Sequence, residues 1–112
     1  SSAEVEKILS NTLENYSNLD GVVVFSGGQA GIARALEKID KSKRRPYVII
    51  YDLTKNNIEM LRNDQVDFLI DQDGFTQGYR SLLMLANQLQ NNKTVTKDAL
   101  FTDIIIKTKY NI

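Results

Sequence analysis

Four short apolar runs, each set between segments with helical spacing, constrain this chain more than any other feature. They are Val22-Val23-Val24-Phe25, Tyr47 to Tyr51, Val66 to Ile70 and Phe101 to Lys107. The first is wholly apolar and rich in β-branched residues, the pattern of a strand buried on both faces of a parallel sheet, and the second reads as a buried strand too. Helix-patterned stretches separate them. Val5, Ile8, Leu9, Leu13 and Tyr16 recur at helical spacing, and Ser1 with Glu4 suits a capping box. Ile32, Ala35, Leu36 and Ile39 mark a second helix, and Ile58 with Leu61 a short third one over Asn57 to Asn63. A long helix runs from the turn Asp71-Gln72-Asp73-Gly74 to about Asn91, with Phe75, Tyr79, Leu82, Leu83, Ala86 and Leu89 on its apolar face. Lys41 to Pro46 is a basic connector and Asn91 to Lys97 a polar loop. Strands alternating with helices predict an α/β fold with a mostly parallel sheet joined by right-handed crossovers.

At 112 residues this is one domain. Its 14 basic and 14 acidic residues cancel, which argues against nucleic-acid binding through this chain, because that needs a surplus of Lys and Arg. With no Cys and no His, thiol chemistry, disulfides, the usual zinc sites and His-based acid–base catalysis are excluded. Lack of Cys fits a reducing compartment. No apolar run approaches the ~20 residues of a membrane-spanning helix.

In open α/β sheets, ligands sit beyond the carboxyl ends of the strands. Three polar groups fall at such ends: Ser26-Gly27-Gly28, Asp52 and Asp71-Gln72-Asp73. Asp accepts two hydroxyl hydrogen bonds, Gln donates and accepts, and glycine lets backbone N–H groups approach a ligand, so the set suits a polyol. Each has a structural reading beside the functional one. Ser26-Gly27-Gly28 also reads as a tight turn, Asp52 as a turn cap, and Asp71 to Gly74 as a helix start. Phe75 and Tyr79 suit core packing as well as stacking on a sugar ring. Lys41, Lys43, Arg44 and Arg45 follow a helix end, where solvated cations suit the dipole. Neither the P-loop nor the dinucleotide-binding glycine spacing is present.

The ordered set of motifs resembles the effector-binding domain of lac-repressor-type (LacI/GalR family) transcription regulators, which shares its fold with periplasmic sugar-binding proteins. The stretch from Asp20 to Gly28, with Ala33-Arg34-Ala35-Leu36 in the helix after it, resembles one strand-and-helix segment of that family. Val48-Ile49-Ile50-Tyr51-Asp52 is similar to the next strand, whose terminal Asp commonly contacts effector. Asp71 to Tyr79 resembles the Gln-containing segment, with Gly78 six residues after Gln72. Thr108-Lys109-Tyr110-Asn111-Ile112 looks like the closing Thr-x-x-Asn-Ile. Two departures stand out. Ser26-Gly27 falls where the family usually has Asn or Asp, and Leu53-Thr54 replaces a frequent second Asp.

The resemblance implies a periplasmic-binding-protein-like type 1 domain, a three-layer Rossmann-like α/β sheet of which this chain is the C-terminal part, without the DNA-binding domain and first lobe. It implies ligand contacts at Ser26, Gly27, Asp52, Gln72, Asp73 and Phe75, with no catalytic residues, metal or cofactor. The partner is a sugar-like effector. DNA is reached only through an absent N-terminal domain, no membrane is involved, and the compartment is the cytoplasm. By the same analogy, the long helix and last strand belong mainly to the absent lobe. The Val22–Phe25 strand is left at a sheet edge, and a two-fold homodimer is expected unless the long helix folds back over the sheet. The alternative is a solute-binding protein of a sugar transporter or sensor system. A phosphoacceptor receiver domain, suggested by Asp52, lacks the acidic pair after the first strand that holds Mg²⁺. An enzyme lacks an evident nucleophile–base pair.

Overall fold

The computed structural model describes residues 1–39, 42–94, 96 and 99–112; Lys41 of the basic connector and Lys97 of the polar loop lie outside them. The element order is α1 (Ser2–Asn15), β1 (Gly21–Val24), α2 (Ala30–Glu37), β2 (Tyr47–Tyr51), α3 (Lys55–Arg62), β3 (Phe68–Asp71), α4 (Gly74–Asn91) and β4 (Ile105–Lys107). The strands form one sheet in the order β1-β2-β3-β4. The first three are parallel, in registers running from Gly21↔Tyr47 to Val24↔Ile50 and from Ile49↔Phe68 to Tyr51↔Ile70. β4 closes antiparallel on β3, with Asp71 opposite Ile105. The mostly parallel α/β sheet expected from the sequence is what forms.

Period-2 alternation sends Val22, Val24, Val48, Ile50 and Leu69 to one face of the sheet. There Val48, Ile50 and Leu69 join Leu9 of α1, Ile32 and Ala35 of α2, Met60 and Leu61 of α3, and Val66 in a single core. The other face carries Val23, Tyr47 and Phe68, all exposed by more than a third. β1 is therefore not buried on both faces, as its unbroken Val run suggested: it is an edge strand with alternate exposure.

The Ser1–Glu4 capping box is present, Ser1 Oγ accepting from the Glu4 N–H while the Glu4 side chain reaches back. Two glycines let α1 lie against the start of α2. Gly31 packs so closely that a Cβ there would overlap the Ser2 carbonyl oxygen and sit 2.8 Å from the Glu6 nitrogen. Gly28 turns the chain at φ 93°, and a Cβ there would lie 2.6 Å from Val5 Cγ2. On the outside of this contact, Glu6 bridges Arg34 at 2.8 Å and Lys38 at 2.7 Å.

α4 stands off the sheet, as the resemblance implied for a helix whose covering lobe lies outside this chain. None of its residues is buried, so its apolar face of Phe75, Tyr79, Leu82, Leu83 and Leu89 faces outward and does not fold back over the sheet. Core packing, the default reading for Phe75 and Tyr79, is not what they do. Phe75 is 83% exposed and its ring lies parallel to that of Tyr79, with centroids 6.3 Å apart. The last strand, assigned by analogy mainly to an absent lobe, instead pairs with β3 in this chain's own sheet. No described helix is long and apolar enough to cross a membrane.

The amino-terminal ends of β2 and β3 are tied by Arg45. Its guanidinium bonds both carboxylate oxygens of Asp67 at 2.7 and 3.0 Å and the Asp64 carbonyl at 2.8 Å, and Asp67 also accepts the Val48 N–H at 2.8 Å. Arg45 of the connector is thus a structural staple rather than a solvated cation. Burial alone pushes the Asp67 carboxyl up, but the Arg45 and Val48 hydrogen bonds and the nearby guanidinium charges outweigh it and hold the carboxyl below its ordinary value. A carboxyl depressed in the folded state stabilises fully above its unfolded pKa of about 3.9 and loses that contribution as pH falls through the lower folded value. Asp67→Asn is therefore expected to cost roughly 2 kcal/mol at neutral pH. Urea unfolding at stepped pH checks it: the gap from wild type closes as pH falls below ~4, and a gap constant down to pH ~2 counts against the staple.

Candidate functional site

The carboxyl ends of β2 and β3 meet in a recess of about 600 Å³, lined by Asp52, Leu53, Thr54, Asp71, Gln72, Asp73, Gly74, Phe75 and Gln77. The two loops that build it are held by different devices. After β2, the Asp52 N–H extends the ladder by donating to the Ile70 carbonyl at 2.9 Å, and the chain then turns through a left-handed Asp52, φ 75°. Asn57, 3% exposed, fixes that turn from below: its Nδ2 donates to the Tyr51 carbonyl at 3.0 Å and the Asp52 carbonyl at 2.9 Å. Thr54 caps α3 by accepting the Asn57 N–H at 3.2 Å, which sets Asn57 in position. A non-glycine residue in the left-handed region costs on the order of 1 kcal/mol, and such residues concentrate at binding sites.

After β3, Asp71 Oδ1 accepts the Asp73 N–H at 3.0 Å, and Asp73, itself left-handed at φ 53°, caps α4 by accepting the Thr76 N–H at 3.2 Å. The helix-start reading of this segment is thus met by one oxygen of each carboxylate. Between them Gln72 projects outward, and its Nε2 donates to Asp52 Oδ1 at 3.0 Å. The structure therefore brings Asp52 and Gln72 into one recess, with Asp73 and Phe75 on its wall. Ser26 and Gly27 are not among the lining residues. In their loop it is Gly28, packed on α1, that requires the glycine, while a Cβ at Gly27 would meet nothing within 4 Å. The neighbouring Phe25 does face toward β2, its ring 5.3 Å from that of Tyr51.

Three residues of the site's framework were not singled out from the sequence. Asn57 carries no motif, and its signal is only a polar residue three positions after a Thr cap. Gln77 and Thr102 both bond the Gln72 carbonyl, through Gln77 Nε2 at 2.7 Å and Thr102 Oγ1 at 2.8 Å. Thr102 lies 30 residues from Gln72 in sequence, so no local pattern announces it.

The lining offers three carboxylates, two carboxamides and a threonine, with Phe75 as an apolar wall and no Lys or Arg. Such a wall receives hydroxyl donors and repels anions. Among the described residues no group of three or more potential ligand side chains is placed to hold a metal ion.

The family described as periplasmic binding protein domain matches residues 1–93. No curated protein matches the chain. Among solved structures, a periplasmic solute-binding protein of an ABC transporter from Actinobacillus succinogenes 130z, with bound D-allose, aligns at TM-score 0.85 and 18% identity over 99% of this chain and 38% of that one. The glucose-galactose binding protein of Geobacillus stearothermophilus aligns at TM-score 0.83 and 18% identity over 100% of this chain and 39% of that one. A putative LacI transcriptional regulator from Bacteroides fragilis aligns at TM-score 0.80 and 26% identity over 95% and 36%. The chain thus spans well under half the length of the proteins it resembles.

Proposed function

The chain belongs to the periplasmic binding protein domain family, and on that premise we propose that it is the ligand-sensing C-terminal part of a LacI-type transcription regulator, capturing an uncharged sugar or sugar derivative at Asp52 and Gln72. The observation that carries this reading is the recess itself. A carboxylate and a carboxamide, already hydrogen-bonded to each other at 3.0 Å, stand at the carboxyl ends of adjacent parallel strands, where open α/β sheets place ligands. The absence of lining cations favours a neutral polyol over a sugar phosphate or acid. Likeness to the Bacteroides fragilis regulator, at 26% identity, supports the regulator reading. In this reading the chain binds rather than catalyses, works in the cytoplasm, and acts on DNA through a separate module whose affinity the ligand biases. The exposed α4 stripe and the β1 edge support the pairing of two copies.

A second reading, a solute-binding protein of a sugar transporter, is favoured by the close overlap with the Actinobacillus succinogenes protein. A helix-turn-helix encoded upstream marks the first, and an export signal the second.

The test is calorimetry on the full-length protein with a panel of neutral monosaccharides and their phosphates. Binding of one neutral sugar, in the micromolar range of about −8 kcal/mol, is expected, with its phosphate rejected. Binding of the phosphate in preference to the sugar contradicts the ligand class. The 112-residue chain alone is expected to bind the same sugar far more weakly, because an open recess encloses little of a ligand's surface.

A further inference from the structure

We propose that Thr102 and Gln77 are positioning residues for Gln72, so that the segment returning from α4 toward β4 decides whether the Gln72 side chain stands ready for ligand. The inference rests on the reading of the recess given above. Gln72 is exposed and follows the end of β3, and its neighbour Asp73 is in a left-handed turn, so the strand ladder does not hold it. What holds it is a closed triangle of hydrogen bonds on its carbonyl side. Thr102 Oγ1 donates to the Gln72 carbonyl at 2.8 Å, Gln77 Nε2 donates to the same carbonyl at 2.7 Å, and Gln77 Nε2 also donates to Thr102 Oγ1 at 3.1 Å. With the carbonyl pinned on that side, the Gln72 carboxamide is directed to the other, where it meets Asp52 Oδ1 at 3.0 Å.

The triangle joins three pieces of chain that share no core. Gln77 belongs to the first turn of α4, which buries no residue, and Thr102 to the strand-free stretch before β4. Thr102 is the partly buried member of the three. Both of its roles, donor to the carbonyl and acceptor from the carboxamide, need the hydroxyl; its methyl group serves neither. Docking of this stretch therefore couples the disposition of α4 to the pose of a ligand-facing side chain.

The test uses the isotope-labelled 112-residue chain and follows the Gln72 side-chain amide by NMR. Thr102→Val keeps the shape and removes the hydroxyl; it is expected to move the Gln72 amide resonances and those of the Asp52 backbone together, leaving the signals of Ile50 and Leu69 in place. Thr102→Ser is expected to restore the wild-type positions, a rescue that a packing role for the methyl does not give. Gln77→Leu, which keeps Thr102, is expected to shift the same resonances. An unmoved Gln72 amide in Thr102→Val, or a Thr102→Ser variant that behaves like Thr102→Val, overturns the proposal. In a parallel titration with D-allose, Thr102→Val is expected to weaken binding roughly fivefold, the loss of one ordinary hydrogen bond. If D-allose leaves the wild-type spectrum unchanged, as the weak binding expected of this chain alone allows, the Gln72 amide alone judges the positioning role.

Discussion

Gly31→Ala is expected to destabilise the chain by about 2 kcal/mol, even though alanine is the better helix former. The added methyl has nowhere to go. It would overlap the Ser2 carbonyl oxygen and crowd the Glu6 nitrogen, both backbone atoms of α1, so no side-chain rotation relieves it. Relief requires α1 to move off α2. That movement exposes Leu9 and loosens the Glu6 bridges to Arg34 and Lys38. The helix-propensity gain of about 1 kcal/mol opposes an overpacking cost of typically 1–3 kcal/mol, and the cost sits at its upper end where only backbone can yield. Urea unfolding reads the difference as a lower midpoint with unchanged slope. An unchanged midpoint means that the two helices do not approach this closely in solution.

Asp52→Gly is expected to separate binding from folding. Glycine adopts the left-handed turn at φ 75° without the cost that a side chain carries there, and Asn57 still bonds the carbonyls of residues 51 and 52. Stability is therefore expected to stay within about 1 kcal/mol of wild type, the relieved strain offsetting the lost Gln72 contact and the freer unfolded chain. Ligand affinity in the full-length protein is expected to fall ten- to a hundredfold, because charge-assisted hydrogen bonds to ligand hydroxyls are worth roughly 1.5–3 kcal/mol. Asn57→Leu is the converse case. It leaves the Asp52 carboxylate intact but strips two partly buried carbonyls of their donor, so stability is expected to fall by roughly 1–3 kcal/mol while the ligand-facing carboxylate remains. Thermal unfolding beside calorimetry checks the pair of effects; an Asp52→Gly protein that binds sugar like wild type removes Asp52 from the site.

The strands, the order of elements and the parallel core were legible in the sequence because their signals are local. Val48, Ile49 and Ile50 read as a buried strand without help from the rest of the chain, and they form one, with Val48 and Ile50 fully buried. Asp52 and Gln72 were legible for a topological reason: residues just beyond adjacent parallel strands come together whatever lies between them. Ser26 and Gly27 show where that rule stops. β1 is also parallel and adjacent to β2, yet the loop after it is committed to seating Gly28 and Gly31 against α1. Exposure was the least legible property. An apolar stripe such as Phe75, Tyr79, Leu82 and Leu89 specifies that a helix has a face to cover but not that anything in the same chain covers it. The hydroxyl of Thr102 escaped for the opposite reason, since its partner Gln72 is 30 residues away and Thr102 itself belongs to no pattern.

The central claim is that Asp52 and Gln72 together hold the ligand, and a structure of the full-length protein with its bound sugar tests it most directly. Sugar hydroxyls are expected within about 3.2 Å of the Asp52 carboxylate and the Gln72 carboxamide, with Asp73 and Phe75 along the wall and Ser26 and Gly27 out of contact. A sugar seated elsewhere, with the Asp52–Gln72 hydrogen bond undisturbed and no ligand atom near either side chain, contradicts it.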